Sequence, residues 1–358
     1  MSKFHALQVA DVTRETRDAI AVTFAVPPEL ADTYRYVQGQ HLTVRTDIDG
    51  QDVRRSYSIC AAAQDQRLRI AIKRVDGGLF SGWANANLRA GQTLEVMPPS
   101  GHFHVPLDAG QRRHYVGFAA GSGITPLLSI VETTLRAEPD SSFTLFYGNR
   151  ASSTVIFKEA LEDLKDTYLD RYNLVFVLSR EHLDIDLFNG RLDGAKADAL
   201  LQHWIDPASI DVAFICGPQS MMEDVSAALQ KHGVEPSRIK RELFATSIPA
   251  IRPAAHAHRV VGKQDCEVTV IQDGRTRTFT IEKNKETVLD AALAQGIELP
   301  YSCKGGVCST CRCKRIDGEV DMDVNFALED YEVARGFVLS CQSYAVSDKL
   351  VLDFDQET

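Results

Sequence analysis

Nowhere in its 358 residues does the chain carry an apolar run long enough to span a bilayer. Its opening, "MSKFHALQ", lacks the build of a secretory leader, so a cytoplasmic location is expected. In a reducing compartment the eight cysteines are not expected to form a disulfide framework. Positive charge is in short supply: 39 basic residues stand against 49 acidic ones, a net of −10. That balance argues against nucleic acid and anionic membrane as partners. The deficit is uneven. From Lys263 onward there are 18 acidic and 11 basic residues, so the last quarter of the chain holds −7 of the −10. That excess fits docking of this part to a basic protein surface, and equally an acidic solvated face. Acidic residues vanish between Leu243 and Gln264, where "TSIPAIRPAAHAHRVVGK" carries Pro249, Pro253, His256 and His258. This stretch reads as an exposed linker, with the two histidines solvated. No histidine lies between Cys303 and Cys341.

What the chain does have is a concentration of thiols. "YSCKGGVCSTCRCK", residues 301–314, places Cys303, Cys308, Cys311 and Cys313 within eleven residues, and Cys341 follows downstream. Zinc sites usually set one C-x2-C against a second pair or against histidines at short spacing, and neither is present. Taking Cys303, Cys308, Cys311 and Cys341 gives C-x4-C-x2-C-x29-C, the plant-type [2Fe-2S] spacing with a distant fourth ligand. Gly305 and Gly306 keep side chains away from the place where backbone N–H groups must approach bridging sulfides. Cys313, beside Cys311 on an extended segment, is expected to point to the other face.

The remainder divides by rhythm. Up to about residue 106, short alternating stretches such as "IAVTFAV" and "LRIAIKRV", with a hairpin turning at Asp49-Gly50, predict a small antiparallel barrel. From about 112 to 246 four strand-then-helix units follow: "HYVGFAAG" with "TPLLSIVETTLR", "FTLFYGNR" with "VIFKEALEDLKDTY", "NLVFVLSRE" with "AKADALLQHW", and "VAFICGP" with "QSMMEDVSAALQKHG". They predict an open parallel sheet covered by helices. Beyond the linker, "EVTVIQDGRTRTFTIE" predicts a hairpin at Asp273-Gly274, and "ETVLDAALAQGIEL" a helix ending at Gly296.

"IELPYSCKGGVCSTC" resembles the cluster loop of plant-type ferredoxins, and the resemblance extends over about 264–355. "RRSYSI", "IKRVDGGLFSGWA" and "PPSGHF" occur in the order seen in the flavin half of the ferredoxin-NADP reductase family. "AAGSGITP" and "CGP" match its nicotinamide half. The order of parts is similar to phthalate-dioxygenase-reductase-like proteins. In detail "RRSYSIC", "AAGSGITP", "GRLD" and "CKGGVCSTC" most resemble the reductase components of bacterial phenylacetyl-CoA epoxidase (oxygenase) complexes.

The resemblance implies a multidomain fold. Its parts are an antiparallel β-barrel FAD domain (1–108), an α/β parallel-sheet NAD(P) domain (109–248), a linker (249–263) and an α+β, β-grasp-like ferredoxin domain (264–358). The implied cofactors are FAD, NADP(H) and a [2Fe-2S] cluster held by Cys303, Cys308, Cys311 and Cys341. On the flavin side Arg55 would meet pyrophosphate, Tyr57 would pack on the ring system and Ser58 would bond near its reactive nitrogen. Ile72 would line the flavin, and Gly77, Gly78 and Ser81 would offer N–H and hydroxyl donors to phosphate at a helix start. Gly121, Gly123 and Thr125 would cradle the nicotinamide nucleotide, with Cys216, Gly217 and Pro218 beside the nicotinamide. Ser179 and Arg180, with Arg150 as a second candidate, would bind a 2′-phosphate, which favours NADPH. Phe244 would cover the flavin. Ser58, Cys216 and Phe244 would position and tune, and hydride transfer calls for no general base. The implied activity is electron transfer to a separate oxygenase component, with no organic substrate other than the nucleotide bound directly. A reductase for a Rieske oxygenase or acyl desaturase is the alternative within enzymes. An iron–sulfur sensor or carrier is the alternative outside them.

Overall fold

The structure, a computed structural model, describes residues 4–244 and 259–356. The chain forms two compact units, one in the main from the first 243 residues and one from the C-terminal part.

The first unit begins with six strands: β1 (His5–Thr16), β2 (Ala19–Ala25), β3 (His41–Ile48), β4 (Gln51–Ser58), β5 (Arg69–Lys73) and β6 (Thr93–Val96). Their order is β4-β3-β6-β1-β2-β5. A bridge between Ile59 and Ile70, with the Cys60 N–H donating to Arg69 O at 2.9 Å, joins the two ends and closes the barrel. Alternation explains the core: Leu7 and Val9, Ile20 and Val22, Leu42 and Val44, Ile70 and Ile72 all point inward. Asp49 and Gly50 both take positive φ, the requirement of the tight hairpin turn expected there. Helix α1 (Leu79–Asn87) buries Phe80 and Ala84 against this core.

Five parallel strands follow: β7 (His114–Ala120), β8 (Ser142–Asn149), β9 (Tyr172–Leu178), β10 (Val212–Cys216) and β11 (Ile239–Glu242), in the order β11-β10-β7-β8-β9. Helices α2 (Ile124–Ala137), α3 (Lys158–Thr167), α4 (Gly194–His203) and α5 (Gln219–Lys231) connect or flank them. Three details depart from the sequence expectation. Strand β11 was not anticipated, because "IKRE" is short and polar and its pairing with β10 comes only from tertiary contact. Pro126 is the third residue of α2 rather than the first, still inside the turn where a missing N–H costs nothing. Helix α3 starts at Lys158, not at Val155, because Phe157 adopts a left-handed conformation (φ 60°, ψ 30°).

The second unit holds β12 (Asp265–Gln272), β13 (Arg275–Glu282), α6 (Val288–Ala294), β14 (Arg312–Asp317), β15 (Val320–Met322), α7 (Asp330–Ala334), β16 (Phe337–Leu339), β17 (Ser343–Ala345) and β18 (Lys349–Asp353). A mixed sheet runs β13-β12-β18-β14-β16, with β12 and β18 parallel, and β15 pairs with β17 apart from it. Thr287 caps α6 by accepting the Asp290 N–H, and Gly296 (φ 72°) follows its end. The fully buried Lys283 donates to Val261 O at 2.6 Å and to Asp348 Oδ1 at 2.7 Å, which anchors the end of the linker to this fold. The linker histidines, His256 and His258, lie outside the described residues.

Candidate functional site

The strand order reverses between β7 and β10: the chain leaves β7 toward β8 and β9, then returns on β7's other side. Such a switch point opens a crevice at the C-terminal strand ends. Gly121, Ser122 and Gly123 form a turn there between β7 and α2. Gly121 is left-handed (φ 54°). A Cβ on Gly123 would lie 2.0 Å from Cys216 O, so only glycine lets this turn rest on the end of β10. The "GSG" and "CGP" motifs, far apart in sequence, therefore abut. A Cβ on Gly217 would press Met221, and Pro218 precedes α5. Thr125 is buried and donates its hydroxyl to Ser122 O at 3.0 Å, shaping the turn. The Lys73 Nζ, at the end of β5, comes within 3.4 Å of a Cβ built on Gly121, and makes no ion pair among the described residues. Sequence reading had passed over Lys73. The signal available was a cation at the end of a barrel strand, just before Gly77-Gly78.

Ser58 ends β4, buried, and donates to Glu242 Oε2 at 3.1 Å. Glu242 lies in register with Cys216. The residue keeps some solvent contact, but its carboxyl group is enclosed by protein, and that burial pushes it up to about 8. Burial first, then the neighbouring Glu242, raises the fully buried Cys216 thiol well above its ordinary value. Glu242 is a second residue that sequence reading missed, since a glutamate in "ELF" carries no motif until β11 puts it beside Ser58. Phe244 follows two residues later, half-buried.

On the barrel, Tyr57 is half-buried and packs on Phe80, ring centroids 5.7 Å apart. Arg55 is exposed and donates to Arg54 O. Ile72 is buried in the barrel core, its carbonyl held by Asn85. Gly77 is left-handed with open space where a side chain would stand. The Ser81 hydroxyl is engaged by the Val75 N–H at 3.1 Å, so it ties the loop before α1 rather than projecting outward. At the ends of β8 and β9, the Arg180 N–H donates to Arg150 O at 2.7 Å and the Ser179 hydroxyl to Asn149 O. Both arginines are exposed, and neither is in an ion pair among the described residues. Glu181 turns away from them and accepts from the Ser152 N–H and hydroxyl.

In the second unit, one S–H of each thiol pair leans on the other sulfur. Cys308 is pulled down by Cys303 and Cys341 by Cys311, while Cys303 and Cys311 are pushed up. Among the described residues no three such side chains converge on a single-ion site. The thiols instead shift one another in two couples, Cys303 with Cys308 and Cys311 with Cys341. A [2Fe-2S] centre takes two thiolates per iron, so this donor set fits that cluster. The loop needs its glycines: Gly306 is left-handed, and a Cβ there would meet Val324 at 3.1 Å. Lys304 and Ser309 are also left-handed. The Gln342 amide donates to Lys304 O and Cys341 O, stitching the fourth cysteine to the loop. Cys313 points the other way, buried in the core, with Val338 O 3.8 Å from its sulfur.

Three sequence families match in chain order: an oxidoreductase FAD-binding domain over 6–105, an oxidoreductase NAD-binding domain over 118–227 and a 2Fe-2S iron-sulfur cluster binding domain over 270–346. The chain is 47% identical to one of the subunits that make up the 1,2-phenylacetyl-CoA epoxidase of Escherichia coli K12, over 99% of both chains. The chain belongs to the family of oxygenase reductase components. Another relative is the ferredoxin reductase component of 3-ketosteroid-9-alpha-monooxygenase from Rhodococcus rhodochrous, 33% identical over 97% of this chain and 96% of that one. Phthalate dioxygenase reductase shares the fold, with a TM-score of 0.59 and 25% identity over 98% of each chain. A type IV self-sufficient cytochrome P450 monooxygenase contains the same fold in 41% of its length, covering 98% of this chain at a TM-score of 0.70 and 22% identity. As an oxygenase reductase component, the protein is an oxidoreductase with flavin, nicotinamide and iron–sulfur domains, which excludes a plain iron–sulfur carrier. No helix among the described residues is long and apolar enough to cross a membrane.

Proposed function

We propose that this reductase serves a phenylacetyl-CoA epoxidase-type system, passing electrons from NADPH through FAD and a [2Fe-2S] cluster to a separate diiron oxygenase in the cytoplasm. The end-to-end 47% identity to a component of that epoxidase supports this reading above all else. Bound flavin would supply the step between a two-electron hydride donor and a one-electron acceptor.

The chain's own residues do the binding, orienting and proton holding. The Gly121–Gly123 turn presents backbone N–H groups to the nucleotide phosphates, with Lys73 as counter-charge. The Cys216 thiol stays protonated and offers a neutral, soft surface to the nicotinamide. The Arg55 guanidinium suits flavin pyrophosphate, and the Tyr57 ring suits the face of a flat cofactor. Gly77, Gly78, Ile72 and Ser81 shape the barrel side of the flavin site, and Phe244 covers it. Glu242 keeps its own carboxyl proton at neutral pH, losing it only near pH 8, and accepts the Ser58 hydroxyl at Oε2. Arg180, Ser179 and Arg150 meet the 2′-phosphate that distinguishes NADPH from NADH. Cys303, Cys308, Cys311 and Cys341 hold the cluster.

Reconstitution tests the reading. The purified protein, NADPH, a phenylacetyl-CoA epoxidase oxygenase component and phenylacetyl-CoA should give product in step with NADPH oxidation. Flavin reduction without product, but turnover with a Rieske oxygenase, would replace this partner by the second reading.

A further inference from the structure

Helix α2 is almost wholly buried, yet its middle carries hydroxyls. Ser129 and Thr133 lie one turn apart and are both buried. Burying a hydroxyl is costly unless it finds a partner. Both find theirs in residues 61–65, the segment that follows strand β4 and belongs to the barrel. The Ser129 hydroxyl donates to Ala61 O at 2.7 Å. The Ala63 N–H donates to Thr133 Oγ1 at 2.9 Å, and the Gln64 amide to Thr133 O at 3.1 Å. At the solvent edge Arg136 pairs with Asp65 at 2.6 Å. Positions 129, 133 and 136 follow the i, i+4, i+7 period, so one stripe of α2 faces the barrel segment. Residues Ala63–Asp65 form a short 3-10 turn, and Ala62 before it makes no side-chain cap. The Thr133 hydroxyl takes that place and satisfies an N–H that the turn leaves unpaired.

Each side of this contact leads by a short, rigid path to a cofactor-side group. Helix α2 follows Gly123 directly, so helix and turn are one stretch of chain. From Gly123 to Ser129 is about 9 Å of helix. On the barrel side only Ile59 and Cys60 separate Ser58 from Ala61. Both are pinned: the Ile59 N–H donates to Gln40 O at 2.8 Å and the Cys60 N–H to Arg69 O at 2.9 Å. Neither path contains a loop in which a shift could be lost. The Arg136–Asp65 pair is partly exposed and screened by solvent, so it adds little. The two buried hydroxyls carry the contact.

We propose that Ser129 and Thr133 are positioning residues for hydride transfer from the nicotinamide to the flavin. They latch α2 onto the segment that follows Tyr57 and Ser58, and so fix the Gly121–Gly123 turn against the flavin strand. The proposal rests on reading Gly121–Gly123 as the nucleotide turn and β4 as the flavin strand.

The test is stopped-flow reduction of the bound flavin by NADPH in Ser129→Ala, Thr133→Val and the double variant, with FAD content and amide hydrogen exchange measured on the same samples. Thr133→Val keeps the shape of the side chain and removes the hydroxyl. At saturating NADPH the double variant should reduce its flavin about ten- to a hundredfold more slowly, the scale of a misplacement near 1 Å. The NADPH concentration for half-maximal rate and the FAD content should stay those of the unaltered protein. Exchange should quicken in residues 61–65 and also in the turn and the start of α2. Thr133→Ser, which keeps a hydroxyl, should behave as the unaltered protein in both readouts. Quicker exchange confined to 61–65 with an unchanged limiting rate would overturn the latch, as would FAD loss with a normal rate in the molecules that keep it. Gly123→Ala separates the latch from the reading beneath it. If Gly123→Ala is slowed and the latch variants are not, the latch alone falls. If Gly123→Ala reduces its flavin at the normal rate, the reading of the turn falls and the latch with it.

Discussion

The cluster loop and the nucleotide turn are both short glycine-bearing segments, and they are built on opposite plans. The cluster loop carries its chemistry in side chains. Three thiols stand within nine residues, and glycine and left-handed positions only clear the way for them. The turn proposed for the nucleotide would carry its chemistry in the backbone. Its surroundings are scattered over Cys216, Lys73 and Tyr147, each from a different strand. A loop that owns its ligands can be damaged one atom at a time. A turn that owns none is damaged by whatever moves it.

The sharpest break on the cluster side is loss of a ligand. Serine at Cys303, Cys308, Cys311 or Cys341 should abolish the normal cluster absorption and lower bound iron, while FAD binding persists. Cys313→Ser should leave the visible spectrum intact, because its thiol faces the core. A spectrum lost in Cys313→Ser alone would reverse the assignment.

On the nucleotide side the matching break needs no functional atom. Gly123→Ala sets a methyl group 2.0 Å from Cys216 O, so the turn must leave the end of β10. A displacement of about 1 Å in a positioning element can cost ~10²-fold. Flavin reduction by NADPH should fall by about that factor, with cluster absorption unchanged. A variant within about twofold of wild type would show that the turn tolerates movement.

Arg180→Ala probes the proposed contact of one side chain with the 2′-phosphate. Removing a charge-assisted hydrogen bond costs about 1.5–3 kcal/mol, so NADPH affinity should drop roughly ten- to a hundredfold while NADH is nearly unaffected. Titration of both nucleotides checks it, and equal losses would assign Arg180 a general supporting role.

The smallest effect is expected at Glu242. The raised carboxyl is protonated in the folded protein up to about pH 8 and ionised in the unfolded chain above about 4.5. Its contribution to stability is therefore present below about 4.5 and is lost as pH rises toward 8. Flavin reduction should show a matching inflection near pH 8. Glu242→Gln keeps the shape and removes the titration, so its profile should be flat there with a modest change in rate. An unchanged inflection would place the titrating group elsewhere.

How far each plan could be read in advance follows from the same contrast. Cysteine spacing is a property of neighbours along the chain, so C-x4-C-x2-C announced a cluster, and alternation announced the hairpins at Asp49-Gly50 and Asp273-Gly274. The four strand–helix units were legible because their apolar periods are local. Strand β11 was not, since "IKRE" has no apolar period and becomes a strand only by pairing with β10. The start of α3 was misjudged for a related reason. Helical period runs through Val155–Phe157, yet Phe157 is left-handed, with the Arg69 guanidinium of the barrel 4.9 Å from its ring centroid, a contact no local period announces.

The sequence by itself determined the chemistry on offer: four thiols at cluster spacing, two glycine turns after strands, an R-x-Y-S strand and an acidic C-terminal part. Those are facts of covalent order and short-range sterics. Tertiary structure decided which groups act together. It brought Glu242 to Ser58, Gly123 to Cys216 O, Lys73 to Gly121 and Tyr147 to the same turn. Only burial in the folded chain could turn an ordinary glutamate into a proton holder near neutral pH, because desolvation belongs to the surroundings of a residue and not to its place in the sequence.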